Sequence, residues 1–536
     1  MHPPHTQQAH AGDASPVLEV VVNNAPGNLD QLRMVAKHLC QAVNLATTRL
    51  ELVPPVTEHP LPAAWAACPN LKELSIYDTG YVVVDSLDGL PPGLTKLTLG
   101  KLRTHDGVLL DLAPLTVCTS LREVSLHECI SLAPLAASRD TLREFSGVNV
   151  DGLSACTQLE VIYANPANLG SFEAFTRLRE LHIRGARNVD DLAPLAHLEH
   201  LRVLCCSESG VRAVTPLATC TSLEVLDVSY TLVDDVAPLA SCASLKDLDI
   251  SSTPVTDVAP LAACTLLHKL HCSDMVEGVA LAPIPSLRML SCMGYCIIAD
   301  GTEHLTAMTA LEELYIGSNL DSAEHIEMCT NLTTLDIVGS DVDDLSPLEG
   351  CTRLRVLICH NCDKLVELAS LPALEQMLCC SAVLEDLEPL GGCTALMELE
   401  LFRCSVTDIT PLSTLLHLTS LVLSGNEVVD LAPISGLSNL VILHLRGNRV
   451  SDLAPLSNLR SLTSLELYDN RVSDLAPLSN LRSLTKLQVH GNCDAAMMDV
   501  SPLSGITSLQ KLLVSAGTDV SPLSGLTNLV VRAIGC

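Results

Sequence analysis

Leucines recur along most of this chain in a fixed alternation with polar residues. One round runs Leu440, Leu443 and Leu445, then Asn448, then Val450, Asp452, Leu453, Pro455, Leu456 and Leu459, and the order restarts at Leu462. Alternation at a period of two predicts a short strand with one buried face. Asn448 stands where the chain bends out of that strand, and its amide can bond backbone groups the bend leaves unpaired. Asp452 holds a turn-start cap position and Pro455 suits the first turn behind it, so the D-L-A-P-L stretch predicts a brief 3-10 turn. Asp235, Asp257, Asp344, Asp386, Asp408, Asp430 and Asp474 occupy the same position in other rounds.

The leucines that open each round number 22 between Leu71 and Leu529, with a mean step of about 22 residues. A fixed period of that size is the mark of a solenoid. From Leu396 to Leu484 every step is 22, and residues 449–463 and 471–485 are identical, a sign of late duplication. Between Leu94 and Leu178 the steps are 27, 21, 17 and 19, which predicts a bend, a bulged loop or degenerate units. The fold class that follows is a curved α/β solenoid of about 22 units. A parallel sheet should line its concave side, with short 3-10 turns or loops on the convex side.

Three segments are expected. Residues 1–16 read as a His/Pro-rich tail. Residues 17–70 read as a cap shielding the first core layer, with a strand-like LEVVV run and one helix carried by Leu29, Leu32, Val35, Leu39 and Val43. Residues 71–536 form the repeat domain, and its last run, LVVRAIGC, reads as a strand whose edge offers a place for association with a partner or a second copy.

The pattern L-x-x-L-x-L-x-x-N-x-V-x-D-L-x-P-L resembles the 22-residue leucine-rich repeats of internalins and of the phosphatase-regulator class, over residues 71–536. Its C-T-x-L variant is also similar to leucine-rich repeat proteins of kinetoplastid protists. The resemblance implies the solenoid fold and a protein-binding role, without naming a partner.

Composition narrows the reading. Apolar residues make up 48% of the chain but aromatics only 2%, so the core must be layered from aliphatic side chains. Acids outnumber Lys plus Arg by 62 to 31, a net charge of −31. That field repels phosphate backbones and anionic lipid surfaces, so neither a nucleic acid nor a membrane is an expected partner. The opening MHPPHTQQAHAGDASP has no basic stretch followed by an apolar one, and a cytoplasmic location is expected.

The 23 cysteines fall into register with the repeat. Cys68, Cys118, Cys156, Cys220, Cys242, Cys264, Cys329, Cys351 and Cys393 lie three residues before an opening leucine, where later rounds carry leucine. Cys206, Cys272, Cys292, Cys359 and Cys379 replace the last inward strand leucine, and Cys129, Cys362 and Cys404 replace the turn asparagine. Thiols used as core side chains point to a reducing compartment.

No phosphate-binding loop, zinc-protease helix, nucleophile elbow or dinucleotide fingerprint is present, so no catalytic activity and no cofactor are expected. Cys359-His360-Asn361-Cys362, with Cys379 and Cys380, has a metal-ligand spacing. Register sends Cys359 and Cys379 inward and Cys362 into the turn, so no metal site is expected. His127-Glu128-Cys129 reads as a solvated surface segment, because register splits histidine and thiol between face and turn.

Binding should then use the outward strand positions. Val356, Ile358, Leu378, Phe402, Val422 and Ile442 form an apolar group flanked by His360, Cys380, Glu398 and Glu400. Asp227, Asp247 and Asp249, near Ser229 and Ser251, form an acidic group without basic neighbours that would steer a partner with a basic segment. Tyr315 and Tyr468 are further outward candidates. The expected function is a noncatalytic intracellular scaffold or adaptor. Alternatives are a regulatory subunit of a protein phosphatase, a substrate receptor of a ubiquitin ligase using 17–70 to reach its adaptor, or an extracellular adhesin.

Overall fold

Leu443 is buried between half-exposed Ile442 and His444 in the strand Ile442–His444, and the same inward-outward order repeats from strand to strand. The computed structural model describes residues 17–21, 48–53, 65, 68–77, 82–84, 86–100, 102–103, 108–127, 129–275, 279–294, 302–317, 320–492 and 498–534. They fall into two compact units, Met1–Leu245 and Lys246–Cys536.

In the first unit the strands Val17–Val21, Arg49–Val53 and Glu73–Ile76 pair in parallel. The sheet therefore continues into the segment read as a cap. Its helix and the tail 1–16 lie outside the described residues. Lys96–Leu99, Glu123–Leu126, Glu144–Ser146, Val161–Tyr163, Glu180–His182, Val203–Cys205 and Val225–Asp227 follow, each parallel to the one before. The uneven steps between Leu94 and Leu178 do not break this order: Thr98, Ser125, Ser146, Tyr163 and His182 stay in one row. The difference is absorbed in the connections, where Val82–Val83 and Leu102–Arg103 add a small parallel pair.

The second unit runs from Asp247–Asp249 to Val530–Ile534 as a parallel sheet. The last strand pairs with Lys511–Ser515, and its Val530 and Ile534 are exposed.

Between strands, 3-10 turns such as Ala454–Asn458 carry proline in their first turn and bury one leucine, here Leu456. The capping aspartate sits one residue earlier than the cap position proper. Leu453 is the residue that opens the turn, and Asp452 Oδ1 accepts the Ala454 N–H across it at 2.8 Å. Asp235, Asp257, Asp344 and Asp430 make the same bond at 2.6–2.8 Å.

The turn asparagines are buried and tie one repeat to the next. Asn448 Nδ2 donates to Leu423 O at 2.8 Å and Leu445 O at 3.0 Å, while its Oδ1 accepts the Val428 N–H at 3.0 Å. Where cysteine replaces asparagine, its Sγ reaches the same preceding-repeat carbonyl: Cys362 to Ile337 O at 3.2 Å, Cys404 to Cys379 O at 3.6 Å. Threonine keeps only the local bond, as Thr231 Oγ1 does with Val228 O at 2.6 Å.

Of the 19 described cysteines, 16 are buried. Cys220 and Cys242 donate to Leu195 O and Leu217 O, one repeat back. Burial pushes the Cys118, Cys156 and Cys351 thiols up to about 11 and Cys329 to about 12, so they are protonated at neutral pH.

Candidate protein-binding surface

Residues that alternate with the buried leucines must point to the other side of the sheet, so parallel register alone decides which outward side chains touch. In the second unit Ile358 and Leu378 are direct neighbours, and His360, Cys380 and Phe402 form an adjoining row of three. Val356 stands beside Gln376. These residues lie on the strands Val356–His360, Gln376–Cys380 and Glu398–Phe402, longer by two residues than most others in the array.

The remaining members join less directly. Glu400 separates Leu378 from Val422, and Ile442 lies in the other row between Ser420 and Ser464. The contiguous part of the surface is therefore Val356, Ile358, His360, Leu378, Cys380 and Phe402. All are half-buried by their neighbours.

The edges of this surface are held by specific bonds. Arg403 lies over the Phe402 ring, 5.1 Å from its centroid, and covers one of its faces. Gln376 Nε2 donates to Glu398 Oε2 at 2.7 Å. Cys380 Sγ donates weakly to Asn361 Oδ1 at 3.8 Å. His360 Nδ1 is buried and has no hydrogen-bond partner among the described residues. Burial raises the Asp336 carboxyl above its usual range, against the pull of the Val338 N–H and of His360.

The C-x-x-C stretch does not converge on a common point. Cys359 and Cys379 are buried among the leucines, while Cys362 turns to Ile337 O and lies 3.3 Å from Ser340 Oγ. Among the described residues no group of three or more His, Cys, Asp or Glu is arranged to hold a metal ion.

The acidic residues behave differently from a bare cluster. Asp227 belongs to the first unit, where its Oδ1 accepts both the N–H and the hydroxyl of Ser229, at 3.0 and 2.6 Å. Asp247 and Asp249 belong to the second. Asp249 accepts the Ser251 N–H at 2.9 Å, whereas Asp247 faces Lys269 and lies 4.0 Å from His271 Nε2. The absence of basic neighbours expected for this group therefore fails at Asp247, because the next strand supplies two.

Register also assembles a polar network that the single-residue reading missed. Glu466 accepts Lys486 Nζ at 2.6 Å and Gln488 Nε2 at 2.7 Å, with His444 Nε2 at 3.7 Å. Its signal was present in the sequence: His444, Glu466 and Gln488 are separated by the repeat period of 22 residues, and Lys486 lies two residues before Gln488. Tyr315 donates to Glu313 Oε2 at 3.0 Å, and burial with that carboxylate pushes its phenol up to about 12. Tyr468 lies between Arg446, 4.8 Å from its centroid, and His490, stacked at 4.5 Å.

Residues 416–458 match a family model described as Leucine Rich repeats (2 copies). No curated protein matches the chain. Among solved structures, a leucine-rich repeat protein of Leptospira interrogans aligns with a TM-score of 0.56 at 15% identity, covering 76% of this chain and 100% of that one. The TLR13–ssRNA13 complex aligns with a TM-score of 0.59 at 18% identity, covering 88% of this chain and 82% of that one. The functional domain of InlJ from Listeria monocytogenes, which includes a cysteine ladder, aligns with a TM-score of 0.46 at 19% identity, covering 66% and 68%. The first two of these matches establish the leucine-rich repeat fold.

Proposed function

We propose that this leucine-rich repeat chain is a noncatalytic protein-binding scaffold that works in a reducing, intracellular compartment and holds its partner on the open sheet face of the second unit. The observation that carries this is the contiguous Ile358–Leu378 pair beside the His360–Cys380–Phe402 row, an apolar centre with Glu398 and Glu400 at its rim. An apolar centre inside a polar rim is the arrangement in which a few side chains supply most of the binding energy. The compartment is supported by the thiols that fill core positions and are held protonated by burial.

Affinity purification from the native source tests the surface. Leu378→Asp combined with Phe402→Asp should lose a defined protein that the unaltered chain retains, while Leu416→Asp, an exposed leucine outside the strands, should retain it. Recovery of the same proteins with all three chains would reject this face as the binding site. Titration of the denatured, unreduced chain should find close to its full complement of 23 thiols. Extensive disulfides would reject the reducing compartment.

A further inference from the structure

An open groove of about 580 Å³ in the first unit is walled in part by Thr98, Ser125, Ser146, Val148, Tyr163 and His182. Thr98, Ser125 and Ser146 follow one another in register on three neighbouring strands, so short hydroxyl side chains build the floor. The next strand raises Tyr163, which is 39% exposed, and the one after it raises His182. The two rings stack in parallel, 4.4 Å between centroids and 10° apart. Tyr163 stands between Ser146 and His182 in this row. The imidazole therefore covers one face of the phenol, and the other face looks over a short side chain into the groove.

The second unit contains the completed version of the same arrangement. Arg446, Tyr468 and His490 succeed one another at the repeat period. His490 stacks on one face of Tyr468 at 4.5 Å and 13°, and the Arg446 guanidinium lies over the ring, 4.8 Å from its centroid. A tyrosine sandwiched by imidazole and guanidinium is thus a packing this chain makes internally. Beside Tyr163 the arginine's place is held by Ser146.

Arg184, the arginine of the groove wall, is paired with Glu208, and two carboxylates stand beside the groove on the same sheet face. Glu144 and Glu180 flank Val161 in register, two residues before Ser146 and His182 on the same outward face. The neighbouring cations are already engaged, Lys96 with Glu123 at 2.5 Å and Arg184 with Glu208 at 2.7 Å. Glu144 makes no ion pair among the described residues. Burial, and then Glu123, raise its carboxyl above the usual range against the pull of Lys96, a cost that an incoming positive charge would relieve further.

We propose that this groove binds an arginine side chain carried by an extended segment of a partner protein, with the guanidinium on the free face of Tyr163 above Ser146 and Glu144 as its counter-ion. Arginine fits better than lysine because a planar guanidinium stacks on a ring while its edge N–H groups donate to carboxylate and hydroxyl oxygens. The site lies in the unit that does not carry the apolar surface, so either can fail alone.

The full chain is titrated with the capped peptide Ac-Gly-Ser-Arg-Ser-Gly-NH2 and with its lysine and citrulline counterparts, up to about 10 mM, the range a few weak contacts reach. The arginine peptide should saturate, with citrulline about tenfold weaker and lysine in between. Tyr163→Ala and Glu144→Gln should each weaken arginine binding about fivefold to tenfold. Ser146→Arg supplies the missing cation within the chain and should abolish binding with the circular dichroism spectrum unchanged. Tyr468→Ala, whose ring faces are already occupied, should bind like the unaltered chain. Absence of saturation, equal affinity for arginine and citrulline, or unaltered binding by Ser146→Arg would each overturn the proposal.

Discussion

The buried Asn448 amide donates to Leu423 O and Leu445 O of consecutive repeats and, at 3.3 Å, to Arg446 O, and accepts the Val428 N–H. Replacement by alanine strands the Val428 N–H away from water, while Leu423 O and Leu445 O keep their bonds from Asn426 and Asn470, at a cost of about 2 kcal/mol. Asp452→Ala should cost less, because water can replace the exposed carboxylate at the Ala454 N–H. Urea unfolding of both variants checks the order, and a larger loss for Asp452→Ala would contradict it. Histidines on the open face set an acid response. Burial is the main cause holding His182, His444 and His490 below their usual value of 6.5, so the folded chain leaves them neutral where the unfolded chain still binds protons. Stability therefore rises with pH through the window below 6.5 and is lost as pH falls. Asp408, Asp499 and Asp519, lowered by their serine or threonine partners, add a second loss below about 3.8. The unfolding midpoint of the unaltered chain should drop more between pH 7 and pH 5 than that of a chain with all three histidines changed to glutamine. Equal drops would remove the histidines from the acid response.

Within a strand-and-turn unit, position in the period decides environment, which is why so much was readable beforehand. Cysteines three residues before the opening leucine, those at the last inward strand position, and Cys362 and Cys404 at the turn are buried as their register requires, whereas Cys129 is half-exposed at its turn. Among the described cysteines, alkylation in the native chain should accordingly reach Cys129, Cys205 and Cys380 first, with the buried thiols labelled only in urea, as peptide mass spectrometry would show. Early labelling of Cys242 would mean its repeat is open. The period alone does not say which outward residues meet. Val422 looks like part of one apolar group in sequence, yet Glu400 intervenes because it shares a row with both Leu378 and Val422. The Tyr163–His182 stack was hidden by steps of 17 and 19, which suggested degenerate units. Connections took up those differences and left the strands aligned.

Solenoid stability is the sum of each repeat and its contacts with the next, so whole periods should be removable where fragments of a period are not. Residues 449–470 offer the cleanest case, since 449–463 and 471–485 are identical and the cut joins Asn448 to a second Arg-Val-Ser-Asp. The bonds reconnect. Val472 keeps the Oδ1 of Asn492, as Val450 has that of Asn470, and Lys486–Gln488 can pair with Ile442–His444 in place of Ser464–Glu466. What disappears is Glu466, with its bonds from Lys486 and Gln488, and Tyr468 between Arg446 and His490. The shortened chain should keep its circular dichroism spectrum and its partner, because Val356–Phe402 lies outside the cut, and should unfold at a modestly lower urea concentration. Deleting only 449–459 removes the turn Ala454–Asn458 with buried Leu456 and runs Asn448 almost directly into the strand that begins at Ser464. That chain should lose its following repeats, seen as reduced dichroism and protease cleavage after residue 448. If both deletions fold alike, or if the full-period deletion is the one that unfolds, neighbouring repeats are not the unit of stability in this molecule.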